Sequence, residues 1–180
     1  MYSELWHASE AVLTKGINDS LGRSWQFLSS IVLTAFSFEA YLNHVGEQNF
    51  KTWDGLERLR TRDKFLFLCE MLKVNFSQGN GDRPLQTIYQ LLDFRNEMAH
   101  GKSTVLKPKS ETVELGYLET HLMQRPMARW EQLIRDDVFA KRAREDVAAV
   151  LTAIQEMRPE PKEHLFTFGI GASSAAFKIE

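Results

Sequence analysis

The chain has 180 residues, 43% of them hydrophobic and 26% charged, with a formal net charge of −2. This composition is typical of one globular domain with a sizeable core. It excludes a strongly basic nucleic-acid coat protein but allows a small basic cleft.

Apolar residues recur at helical spacing through most of the chain and predict helices over about residues 3–15, 21–47, 56–74, 84–100 and 127–157. The second helix is apolar nearly all round its middle, so we expect it at the centre of the core. Gly16 and Gly22 are expected to break the chain between the first two helices, and Pro159 to stop the last one. The stretch 116–124 is ambiguous, with a short helix as one alternative.

These elements predict a helical domain over residues 1–157 and a C-terminal tail over residues 158–180. The tail is expected either to be flexible or to be an arm that lies on another subunit. The most apolar window, residues 27–42, carries Glu39 and is shorter than the about 20 residues of a bilayer span, so we expect no membrane segment. A single cysteine, Cys69, allows no disulfide within the chain; we expect it in the core of a cytoplasmic protein.

The fourth helix carries an arginine where its pattern predicts an apolar face. That face is formed by Leu85, Ile88, Leu91, Leu92 and Ala99. Arg95 lies seven residues after Ile88 and four before Ala99, which places it in the same stripe. A guanidinium keeps its charge when buried, so Arg95 requires an acidic partner, an interface or a ligand. His100, best suited among side chains to proton transfer near neutral pH, follows just before Gly101, a typical helix-ending residue.

The stretch Arg-Asn-Glu-Met-Ala-His-Gly, residues 95–101, resembles the signature of HEPN domains, small all-helical proteins related to toxin ribonucleases. The signature is an arginine, about four to six residues and a histidine, often with Asn, Asp or His directly after the arginine. Arg95, Asn96 and His100 match it residue by residue. The resemblance implies an all-α, up-and-down helical bundle of HEPN type with four to five main helices. It also implies an endoribonuclease without metal or cofactor, in a defence or toxin–antitoxin system.

Ribonuclease chemistry without a metal requires a base for the ribose 2′-hydroxyl and a cation for the phosphate oxygens. A neutral His100 and the fork of Arg95 supply these two groups. The resemblance implies this pairing, with a 2′,3′-cyclic phosphate and a 5′-hydroxyl as products. Asn96 is expected either to bond the phosphate or the imidazole, or to be a solvated residue at the helix end.

The spacing of Arg95 and His100 constrains how they could meet. Five residues of a regular helix rotate the side-chain direction by about 500°, so the two side chains diverge by roughly 140°. Either the helix ends near Ala99 and lets His100 swing, or the site combines residues of two subunits about a two-fold axis. Because HEPN domains usually place their motifs at a dimer cleft, the resemblance favours the second arrangement, and we expect a homodimer.

A structural role for the same residues is the alternative. Glu39, a charge on the apolar second helix, is the obvious partner of Arg95, and His100 would then interact with the negative end of the helix dipole. The two roles are compatible, because Glu39 could hold Arg95 in place for catalysis.

Three lysines follow the motif, namely Lys102, Lys107 and Lys109. They are expected either to contact RNA phosphate or to form a solvated loop. In some toxin–antitoxin pairs of the family a tyrosine stands two residues after the histidine and is modified by the antitoxin. Lys102 occupies that position here, which puts this form of control in doubt, although an antitoxin or another protein partner stays open.

Two other signals are weaker. Glu97 and His100 have the Glu-x-x-His spacing of di-iron bundles, but such sites also need a second pair of this kind and two further glutamates, and we expect no metal site. The basic segment from Arg58 to Lys64 could be an RNA-contacting stripe. Because Glu57 and Asp63 interrupt it, we expect a solvated face.

Three hypotheses follow, and the structure can separate them. An endoribonuclease requires His100 exposed in a cleft near a second Arg95 or His100. A non-catalytic HEPN-like module that binds RNA, a nucleotide or a protein would have a similar cleft with Arg95 fully paired to Glu39 or His100 tied up. In a helical scaffold with a chance motif, Arg95 and His100 would open onto no shared cleft.

Overall fold

A computed structural model describes residues 1–76, 81–101, 105–106, 126–159 and 164–167 of the chain. Across these residues the protein is all-helical and contains no strand. The helices are α1 (Tyr2–Asn18), α2 (Arg23–Asn49), α3 (Trp53–Leu56), α4 (Thr61–Met71), α5 (Leu85–His100), α6 (Arg129–Leu133) and α7 (Val138–Met157). They form a helical bundle, which confirms the predicted all-α class.

Helix α2 is the centre of the bundle. It packs against α1, α3, α4, α5 and α7. The side chains of Ile31, Phe38, Tyr41, Leu42 and Val45 are fully buried along it. Removal of this much apolar surface from water is the main stabilising contribution to a core of this kind. The expectation of a central second helix is confirmed.

Small residues let α1 lie close to α2. The hydroxyl of Ser30 donates to the carbonyl of Ser9 at 2.9 Å, and that of Ser37 donates to the carbonyl of Tyr2 at 2.8 Å. Gly16 was expected to break α1, but it lies inside the helix, where an added Cβ would come within 2.9 Å of Phe27. Its role is therefore close packing. The chain turns later, at Gly22, whose φ of +69° is left-handed.

Two predicted helices are interrupted. The helix expected over 56–74 is replaced by the short α3, a turn and α4. The helix expected over 127–157 is broken between α6 and α7, where the Asp136 carboxylate accepts the backbone N–H of Val138 at 3.2 Å. An aspartate that bonds a nearby backbone amide offers the chain an alternative to the helical hydrogen bond. This local competition is the physical reason for the second break.

Helix α1 is covered on its outer side by Arg144 of α7 and by residues 164–167. The ring of Trp6 stacks on Phe166 with centroids 4.1 Å apart, and the guanidinium carbon of Arg144 lies 3.9 Å from the ring of Trp6. His7 Nε2 bonds the carbonyl oxygen of Phe166 at 2.8 Å. This part of the predicted tail therefore lies on its own chain. Residues 160–163 and 168–180 of the tail, and the stretch 116–124, lie outside the described residues.

Helix α5 matches the predicted helix over 84–100 to within one residue. Gly101 follows it with a φ of +52°, which confirms the expected left-handed end. The predicted apolar stripe is correct only for its first part: Ile88 and Leu92 are buried, whereas Ala99 is exposed. In the last turn of α5, Met98 packs against the core whereas Ala99 faces solvent, and Arg95 is half-buried.

Among the described residues, none of the helices has both the length and the apolar composition that crossing a lipid bilayer requires.

Candidate active site

Arg95, Asn96 and His100 line one cleft of about 510 Å³. Glu39 of α2 lies in the same cleft. The remaining lining residues come from the segment before α4, its first turn and α5, and are Leu59, Arg60, Thr61, Arg62, Tyr89, Leu92 and Asp93. A helical scaffold with a chance motif was expected to have no such shared cleft, so the cleft favours the other two hypotheses.

Glu39 is the partner of Arg95, as the sequence predicts. Arg95 Nη2 donates a hydrogen bond to Glu39 Oε2, and its Nη1 donates to Asn96 Oδ1 at 2.9 Å. The Arg95 side chain is 25% exposed, so it is neither fully buried nor freely solvated. Two hydrogen bonds leave further N–H donors of the guanidinium for a ligand.

A second cation, which the sequence analysis missed, occupies the other oxygen of Glu39. Lys64 Nζ donates to Glu39 Oε1 and to Asn43 Oδ1, each at 2.9 Å, and the Lys64 side chain is only 1% exposed. The expectation that Lys64 belongs to a solvated face is wrong. The signal was present, because Lys64 shares its helical stripe with the buried Phe65 and Leu68.

The two cations give this part of the cleft an excess positive charge. A buried ammonium such as that of Lys64 is tolerated only with a compensating anion, and the nearest one is Glu39. The single negative charge of Glu39 therefore cannot neutralise both Lys64 and Arg95. One net positive charge remains, and it is carried by the side chain that reaches the cleft, Arg95.

The carboxyl group of Glu39 is held in its ionised form. Burial raises its pKa, but hydrogen bonding and charge interaction with Lys64, the charge of Arg95 and a hydrogen bond from Thr61 lower it more. The pKa of Glu39 therefore lies below its ordinary value. The ion pair with Arg95 is consequently present throughout the neutral pH range.

His100 is exposed at the other end of the motif. Among the described residues, none forms a hydrogen bond with its imidazole. Helix α5 is regular through His100, and the amide of Gly101 donates to the carbonyl of Glu97 at 3.1 Å. The helix therefore ends one residue after Ala99, at His100 itself. His100 reaches the cleft from an intact last turn and is available for proton transfer.

Two further arginines line the wall contributed by the first turn of α4. Arg60 pairs with Asp63 at 2.7 Å. Arg62 instead lies over the ring of Tyr89, with its guanidinium carbon 3.9 Å from the ring centroid. Because α4 begins only at Thr61, Arg58 precedes the helix that carries Arg62.

The sequence also singles out three lysines, a possible metal-binding pair and Cys69. Lys102, Lys107 and Lys109 lie outside the described residues. Within the described ranges, no three His, Cys, Asp or Glu side chains are grouped so that they could hold a metal ion. Cys69 packs against the core as expected, and burial raises the pKa of its thiol to about 12, which disfavours the reactive thiolate.

No family model, curated protein or solved structure matches this chain. Its function is therefore inferred from the chemistry of the cleft.

Proposed function

We propose that this chain is a metal-independent endoribonuclease of the HEPN type that acts in the cytoplasm. The observation that carries the proposal is the exposed, unbonded imidazole of His100 in the same cleft as the incompletely neutralised guanidinium of Arg95. One group is suited to move a proton, and the other to stabilise a phosphate. A defence or toxin–antitoxin role, with a protein inhibitor, belongs to the same proposal.

In the proposed reaction, His100 takes the proton from a ribose 2′-hydroxyl. The 2′-oxygen then attacks the neighbouring phosphorus, and the bond from phosphorus to the 5′-oxygen breaks. Arg95 stabilises the negative charge that grows on the phosphate oxygens. The leaving 5′-oxygen gains a proton, so the products are a 2′,3′-cyclic phosphate and a 5′-hydroxyl. Asn96 and Glu39 hold the guanidinium of Arg95 from two sides.

The test is cleavage of a labelled structured RNA by the purified protein in EDTA. We expect His100→Ala to lower the rate by about 10²–10⁴-fold and Arg95→Ala by about 10²–10³-fold. Arg95→Ala leaves Glu39 paired with Lys64, so the fold should be retained, as thermal unfolding can verify. Arg135→Ala and His164→Ala, which alter exposed residues, are the matched controls. Equal activity in wild type and both motif variants would refute the assignment.

A non-catalytic module is the second candidate, and the Arg95–Glu39 ion pair favours it. Such a module would bind RNA, a nucleotide or a protein partner through the same cleft. It predicts binding of RNA by the wild type with no cleavage, and weaker binding by Arg95→Ala. Cyclic-phosphate products that depend on His100 would exclude it.

A further inference from the structure

Arg62 differs from the other lining arginines in how its charge is balanced. Arg60 pairs with Asp63 and Arg95 with Glu39. Among the residues that the structure describes, no carboxylate lies within salt-bridge distance of Arg62. Its partner is instead the ring of Tyr89, at 3.9 Å. The full positive charge of Arg62 is therefore presented to the cleft.

The stacking on Tyr89 also fixes where that charge is. An exposed arginine normally samples many rotamers, and ordering it on binding costs free energy. A guanidinium that lies flat on an aromatic ring is already restricted, while its N–H groups point outward in the plane of the fork. Arg62 is exposed, so these donors are accessible from solvent. The arrangement matches an anion with oxygen acceptors, such as a phosphate.

We infer that Arg62, held by Tyr89, is a second phosphate-binding arm of the cleft, which takes a phosphodiester next to the one bound at Arg95. This inference rests on the proposed function. It narrows the expected ligand to a single strand of nucleic acid that places at least two phosphates in the cleft. Leu59, which is exposed beside Arg62, offers an apolar surface to a base of that strand.

The experiment measures binding of a 2′-O-methyl octanucleotide, which lacks the attacking hydroxyl, at several salt concentrations. Each phosphate contact on a single strand contributes about 0.7 to the slope of log affinity against log salt. We expect Arg62→Ala to weaken binding roughly three- to tenfold and to lower that slope by about 0.7. Arg62→Lys keeps the charge and should keep the slope. Arg58→Ala removes an exposed arginine outside the cleft and should change neither.

The role of the ring is tested at Tyr89. Tyr89→Phe keeps the stacking ring and Tyr89→Leu removes it, so Tyr89→Leu should bind more weakly than Tyr89→Phe, with an unchanged salt slope. Equal behaviour of Arg62→Ala and Arg58→Ala overturns the inference while leaving cleavage by His100 and Arg95 intact. Loss of inorganic-phosphate binding in Arg62→Ala without loss of oligonucleotide binding would assign the arm to free phosphate and also overturn it. A wild type that binds no strand would overturn both this inference and the proposed function.

Discussion

Lys64 acts on the cleft through Glu39 and without reaching a ligand. It is buried and bonded to one oxygen of Glu39, while Arg95 is bonded to the other. Removal of Lys64 would leave Glu39 and Arg95 as a balanced pair. The charge that Arg95 offers to a phosphate would then fall close to zero.

We therefore predict that Lys64→Met weakens binding of single-stranded RNA roughly three- to tenfold, the size of a charge interaction of about 1 kcal/mol. The double variant Glu39→Gln/Lys64→Met removes one charge of each sign and should regain most of the affinity, because Arg95 is again unbalanced. Fluorescence anisotropy at fixed salt measures both. A double variant no better than Lys64→Met would show that Lys64 supports only packing.

The lowered pKa of Glu39 predicts a pH dependence of stability. Its carboxylate contributes stability above its ordinary pKa of 4.5, and this contribution is lost as the pH falls through the lowered folded value. The groups facing it are Lys64, Arg95 and Thr61. Glu39→Gln should thus lose less stability than the wild type between pH 5 and the acid limit of folding.

Urea unfolding at a series of pH values measures this difference. Glu39→Gln will be less stable than wild type at neutral pH, because it leaves the buried Lys64 without its anion. The informative quantity is the difference between the two proteins in how the unfolding free energy changes with pH. The contributions of the other acidic groups cancel in this difference. If the unfolding free energies of the two proteins change in parallel with pH, the lowered pKa of Glu39 is contradicted.

At the scale of the elements, sequence periodicity predicts helices well where one face stays in the core. The central α2 and the extent of α5 were predicted, since their apolar stripes are long and their ends carry turn signals. The pairing of Glu39 with Arg95 was also predictable, because each is a charge inside an apolar stripe. The same criterion applied to α4 would have found Lys64.

Features that depend on contacts between distant segments were not predictable. The Arg62–Tyr89 stack joins two helices, and the residue spacing of neither helix predicts it. Gly16 looked like a helix breaker, although its lack of a side chain serves the approach of Phe27. The exposure of Ala99 reflects the point where neighbouring helices no longer cover α5.

A close approach of α2 to α3 gives a prediction for an element. An added Cβ on Gly46 would lie 2.1 Å from the indole of Trp53, which is fully buried. Gly46→Ala should therefore destabilise the fold by about 1–3 kcal/mol, the usual cost of overpacking. Gly55→Ala, in α3 itself, meets no atom within 4 Å and should be neutral or slightly stabilising.

Thermal and urea unfolding of the two alanine variants measures this contrast. In a Trp53→Leu background, Gly46→Ala should cost less stability than it does in the wild type, since the smaller side chain makes room for the methyl group. Equal stability of Gly46→Ala and Gly55→Ala would show that the contact with Trp53 does not exclude a side chain at position 46.

At the scale of the whole molecule, the direction of the two motif side chains bears on assembly. α5 is regular through His100, so the directions of Arg95 and His100 differ by roughly 140°. A homodimer could join Arg95 of one subunit to His100 of the other. Mixing the inactive Arg95→Ala and His100→Ala proteins should then restore about a quarter of wild-type activity, because half of a random mixture is heterodimer with one intact site of two.

The mixture is measured after subunit exchange, with each variant alone as the control. Analytical ultracentrifugation establishes the dimer independently of activity. A dimer whose mixed variants stay inactive would show that each cleft uses Arg95 and His100 of the same chain.

The contact of Trp6 with Arg144 and Phe166 has a consequence for synthesis in the cell. Trp6 emerges from the ribosome long before Arg144 and Phe166, which cover its ring. Until they follow, the indole is a hydrophobic surface without its final partners, open to chaperones that recognise nascent chains. The covering of Trp6 therefore waits until residue 166 has been translated, and a premature stop codon before residue 144 would leave α1 without this protection against proteases.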